Sequence, residues 1–167
     1  MIMYLNIDPT VNQANAEFDL GALGSDDGGR TLFEYIKFND GDGATAAVAG
    51  HLVVGLDAGY PDGEATNDPN SATIAAITQH PKGFLQAVLT DGYFGWAQCW
   101  GRNRQVIITD GSVAQGERLM PHATTTGGVD THSAGAVADI GVALEADGTT
   151  SANQLDIGQV FIQIRSA

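Results

Sequence analysis

Short apolar segments with a period of two run along the chain. Leu52, Val54 and Leu56 alternate with their neighbours, and Ile140, Val142 and Leu144 alternate with Asp139, Gly141, Ala143 and Glu145. Late in the chain Val160, Ile162 and Ile164 alternate with Gln159, Gln163 and Arg165. Successive side chains of a strand point to opposite faces, so each of these sets predicts one strand with a buried and an open face. Phe161 breaks the last pattern. It is a large apolar residue on the otherwise polar face, and so a candidate contact with a second subunit or a partner.

Further strands are predicted over Leu32 to Phe38, Phe84 to Leu89 and Tyr93 to Trp100, continuing after Gly101 from Gln105 to Thr109. A short one from Arg118 to Met120 is stopped by Pro121. In the aromatic run Phe94, Trp96, Gln98 and Trp100 share one face, and Tyr93, Gly95, Ala97 and Cys99 the other, so one face carries bulk and the other admits close approach. Ala72 to Gln79 fits a helical stripe through its alanines and a strand through Thr73, Ile74 and Ile77, and both readings stay open. Residues 1–20 read as an extended arm carrying Tyr4, Leu5 and Ile7 ahead of the first long strand, and Tyr60 to Ser71 read as a loop.

Punctuation between the segments is unusually uniform. Seven aspartates directly precede glycine, namely Asp27, Asp40, Asp42, Asp62, Asp91, Asp110 and Asp147. Asp-Gly supplies the positive φ angles of tight turns, so the pattern predicts a mainly β fold, a compact antiparallel β-barrel or sandwich with an extended N-terminal arm. The chain has 167 residues, the size of one domain with its own core, here expected over residues 21–167.

Charge narrows the function. Twenty acidic against seven basic residues give a net charge of −13, which repels nucleic acid and anionic lipid, so neither is expected as a partner. Fifteen of the acids are Asp and five Glu, which places most of the charge in turns. The opening apolar run, Met1 to Leu5, is short, has no basic segment before it and runs into Asn6 and Asp8, unlike a secretory leader, and synthesis and folding in a cytoplasm are expected.

No cofactor, metal or catalytic residue stands out. The single Cys99 sits among aromatics and reads as a small buried hydrophobe. His51, His80, His122 and His132 lack the close spacing of a metal site. Asn39-Asp40-Gly41-Asp42-Gly43 offers oxygen ligands but no bidentate Glu, which favours a turn over a calcium loop. There is no G-x-S-x-G elbow and no phosphate-gripping G-K-[ST]. Trp96 and Trp100 could stack on sugars, but their place in the middle of a strand favours core packing.

Four segments in order resemble small bacteriophage head decoration, or capsid cement, proteins. Phe18-Asp19-Leu20-Gly21, then Asp27-Gly28-Gly29-Arg30-Thr31-Leu32-Phe33-Glu34-Tyr35-Ile36-Lys37, is similar to their leucine-glycine, acidic turn and tyrosine strand. Gly92 to Gly101 resembles their glycine-tryptophan strand, Val113 to Leu119 their glycine-acid-x-leucine hairpin, and Asp139 to Glu145 their penultimate strand. The loop from Tyr60 to Ser71 and Phe94, inserted between Tyr93 and Gly95, depart from the pattern. The resemblance implies a non-enzymatic homotrimer on the outer capsid surface of a virion, bridging subunits of the major capsid protein. Tyr4, Leu5, Ile7 and Phe161 are then the candidate partner or subunit contacts. The alternatives are a carbohydrate-binding or adhesion module of a tail or fibre, and an enzyme on a trimeric β fold with its site between subunits.

Overall fold

The computed structural model describes residues 5–26, 28–41, 46–55, 63–68, 81–108, 113–132, 140–143, 146 and 154–161, with 103–105 and 154–161 described as backbone. The described elements are all strands. They are β1 (Leu5–Asn6), β2 (Leu23–Ser25), β3 (Leu32–Phe38), β4 (Leu52–Gly55), β5 (Glu64–Thr66), β6 (Pro81–Leu85), β7 (Phe94–Ile107), β8 (Arg118–Pro121), β9 (Val129–Thr131), β10 (Gly141–Val142) and β11 (Gln154–Phe161).

Five of them close a barrel in the order β3-β5-β4-β6-β7, with β7 returning to β3. The barrel is mixed: β3 and β5 run parallel with Lys37 opposite Glu64, and the other four seams are antiparallel. β2 and then β1 extend the sheet from β3, and β11 extends it from the far half of β7. A separate sheet of order β10-β8-β9 lies against the barrel wall. The fold expectation, mainly β and barrel-like, is met.

The packing divides into three clusters. Ile36, Phe38, Val53, Ala65, Leu85 and Ala97, from all five barrel strands, form the barrel interior together with Ala47 and Leu89. Outside β3 and β7, Phe33, Tyr35 and Trp96 form an aromatic patch covered by Ile7, Val11, Phe18 and Leu20. Outside β4 and β6, Leu52, Val54 and Phe84 pack with Val106, Ile108, Val113, Leu119, Val129, Ile140 and Ala143, which ties the small sheet to the barrel. β4 is therefore buried on both faces, with Val53 in the barrel and Leu52 and Val54 under the sheet, so its four residues show no polar side.

Several predicted segments shift in detail. β3 spans the expected residues, and β8 ends at Pro121 as expected. β6 lies earlier than Phe84 to Leu89, because Leu89 leaves the sheet to fill the barrel end against Gly95. The predicted loop from Tyr60 to Ser71 contains β5, whose residues are all buried. Around β10 it is Ala143, with Ile140, that enters the core, while Val142 is half-buried. The two segments expected on either side of Gly101 are one strand, and Gly101, at φ +102°, lies where a Cβ would crowd the backbone of Arg30 and Thr31. Ala72 to Gln79 lies outside the described residues.

Candidate functional site

The expected contact residues do not gather in one place. Leu5, on β1 at one margin of the large sheet, is 41% exposed, consistent with a residue available for contact. Ile7 is turned inward: it packs on the aromatic patch, with its side chain over Gly24 where a Cβ would collide. Phe161 is the last residue of β11 and pairs in register with Trp100, at the opposite margin of the same sheet. Tyr4 lies outside the described residues.

From Leu5 to Leu20 the arm is mostly irregular and is laid along its own barrel. Tyr35, fully buried, donates its hydroxyl to Gln13 Oε1 at 2.9 Å and accepts from the Glu17 amide at 3.1 Å. Gln13 and Phe94 exchange backbone bonds in both directions, and Asn12 bonds Thr90 twice. Phe18 meets Tyr35 edge-on at 5.3 Å and Trp96 at the same centroid distance. Each such ring pair adds about 1 kcal/mol beyond the area it buries, so this is a fastened seam.

Trp96 and Trp100, expected on one strand face, differ in exposure. Trp96 is buried in the aromatic patch, while Trp100, beyond the end of the covering segment, is 38% exposed. Val88, at 55%, and Val48 are the other exposed large aliphatics among the described residues. Each is the chain neighbour of a residue of the barrel-interior cluster, Leu89 or Ala47. Val48 sits in a connection, where alternation gives no signal, and Val88 lies beyond the end of β6 in a segment expected as strand.

The chemistry-bearing side chains are used structurally. Cys99 is buried, its thiol pushed up to about 12 first by burial and then by the Glu34 carboxylate nearby, so it is a poor nucleophile. Glu34 and Lys82 form an ion pair at 2.7 Å that crosses over β7 from its two neighbouring strands. That crossing is possible because β6 approaches β7 closely at Gly83, where a Cβ would lie 2.4 Å from the Gln98 carbonyl oxygen. Lys37 pairs with Glu64 across the parallel seam at 2.8 Å. In the acidic turn Asn39 Oδ1 accepts from the Gly41 amide, and Asp91 accepts from the Asp40 amide. Among the described residues no group of three His, Cys, Asp or Glu is placed to hold a metal ion.

Two histidines lie at the junction of barrel and small sheet, His51 beneath Gly127 and His122 at the start of the same loop. His51, 8% exposed, lies 2.9 Å through Nδ1 from Asn67 Nδ2. His122 follows β8 and accepts at Nδ1 from the amides of Thr124 and Thr125 at 3.1 and 2.9 Å. Beside His122 is a crevice of about 10 Å³, enough for one water, lined by Leu52, Val54, Thr66, Asn67, His122 and the loop to Gly128. Comparison of the chain with protein-family profiles, curated proteins and solved structures yields no match.

Proposed function

We propose that this chain is a bacteriophage capsid decoration protein, a homotrimer that binds the outside of the assembled head and bridges subunits of the major capsid protein. The observation that carries the reading is how the four segments resembling such proteins come together. The first and second meet at the β3–β7 seam, where Phe18, Tyr35 and Trp96 touch. The third and fourth meet at the β8–β10 seam, where the Gly116 amide bonds the Ala143 carbonyl and the Ala143 amide bonds the Glu117 carbonyl. The similar segments are thus paired parts of one framework, which supports treating their common order as a common fold.

Decoration proteins stabilise a shell by linkage: they bind the assembled lattice and not its dissociated subunits, so each bound copy favours the shell. Trimerisation adds effective concentration, so weak individual contacts suffice. Exposed Leu5, Val48, Val88 and Trp100 supply apolar contact area on a chain whose charge of −13 otherwise keeps it dispersed. Sedimentation with assembled heads and with free major capsid subunits tests the reading. The chain is expected to travel with heads and not with subunits, and equal binding to both, or to neither, contradicts it. Velocity sedimentation of the chain alone is expected to give about three times the 17.3 kDa chain mass.

Exposed Trp100 favours one second reading, an adhesion module that stacks sugar on that ring. A shift in tryptophan emission with a glycan, lost in Trp100→Ala, would select it over capsid binding.

A further inference from the structure

We propose that the loop from His122 to Gly128 is an acid-released latch between the small sheet and the barrel. Two imidazoles hold it: His122 Nδ1 accepts hydrogen bonds from the loop, and the His51 ring is packed beneath Gly127. At His122 the assignment is forced by the backbone. Two main-chain N–H groups, of Thr124 and Thr125, point at the same Nδ1, and neither can be turned around into an acceptor. The ring proton of neutral His122 therefore sits on Nε2, on the side of Asp130, whose Oδ2 is 3.9 Å away.

A second proton must go onto Nδ1, where it meets two donors. The Asp130 carboxylate attracts the resulting imidazolium, while the two amides repel it, and the conflict is relieved when the ring turns out of the loop. Both hydrogen bonds to Thr124 and Thr125 are lost in that movement.

His51 is the other half of the latch. Gly127 lies directly over its ring, close enough that a Cβ on Gly127 would fall 2.3 Å from His51 Cγ. The Gly127 amide bonds the Asn67 carbonyl at 2.7 Å, and the Gly127 carbonyl accepts from the Leu52 amide at 2.9 Å, so the loop clamps the His51–Asn67 pair. The neighbouring carboxylate of Asp68 faces Gly41 instead of the ring. Burial is what acts on His51, lowering its proton affinity, and the charged form gains water only if the loop lifts. The crevice lined by Leu52, Asn67, His122 and Gly128 lies beside Asn67, the partner of His51.

Amide hydrogen exchange of the full chain at pH 7.5 and pH 5.0, corrected for intrinsic exchange, tests the latch. Protection of Thr124, Thr125 and Gly127 is expected to fall at least tenfold at the lower pH, while the barrel amides of Tyr35 and Leu85 keep theirs. In His122→Asn the side-chain oxygen still accepts from the two amides but does not titrate, so Thr124 and Thr125 are expected to stay protected at both pH values. Equal loop protection at both pH values in the unaltered chain would overturn the proposal. So would a loss spread evenly over loop and barrel, or an unchanged pH response of Thr124 and Thr125 in the variant.

Discussion

The two outer faces of the barrel are covered in different ways. The β3–β7 face is aromatic and is sealed by residues 7–20 through ring contacts, a buried tyrosine hydroxyl with two partners and a backbone pair to β7. The β4–β6 face is aliphatic and carries a small sheet, whose connecting loop bonds one imidazole, His122, and packs on another, His51, beside a water-sized crevice. The difference teaches that one seam resists conditions that the other senses. Dispersion and ring packing are indifferent to pH, whereas an imidazole acceptor exists only while the ring is neutral.

The largest expected effect breaks the aromatic seam. Trp96→Ala removes the ring shared by Phe18 and Tyr35 and is expected to cost about 3–5 kcal/mol in denaturant unfolding. Gly127→Ala attacks the other seam, setting a Cβ against His51 at a position whose φ of +62° already disfavours alanine. A loss of about 2 kcal/mol is expected, with hydrogen exchange rising in the small sheet before the barrel. If both variants loosened the same amides, the two seams would not be separate units.

Tyr35→Phe is a finer cut. It keeps the ring stack and deletes the hydroxyl that Gln13 and Glu17 use, so about 1–2 kcal/mol is expected, with faster proteolysis confined to residues 5–20. Smallest is the pH dependence at the imidazole seam. Burial lowers the proton affinity of His51 in the folded chain, so the unfolded chain takes up the extra proton first. Stability is then flat above the ordinary histidine range, near pH ~6.5, and declines as pH falls through and below it. Denaturant midpoints across that range check the direction, and His51→Gln is expected to flatten the slope.

Much of this arrangement was legible in the sequence, for reasons that particular residues make clear. β3 and the first half of β7 were readable because large residues alternate with small or polar ones, as in Phe94, Gly95, Trp96 and Ala97. Asp-Gly turns were readable because only a few residues tolerate positive φ: Gly41 and Gly92, each after an aspartate, adopt it. β5 was not readable, since Glu64-Ala65-Thr66 is short and turn-flanked and is held by tertiary pairing to β3 and β4. The inward turn of Ile7 was hidden too, because an arm that folds back and an arm that reaches out carry the same apolar residues. Of the candidate contacts, exposure at Leu5 is visible in the fold, whereas the pairing of Phe161 with Trp100 depends on register between strands far apart in sequence.

A density map of virions containing this chain is the most direct test of its proposed role. The account predicts five-stranded barrels grouped in threes on the outer head surface, each touching major capsid subunits through exposed residues such as Leu5, Val88 or Trp100. Barrel density in the tail or fibres, or its absence from the particle, would contradict it.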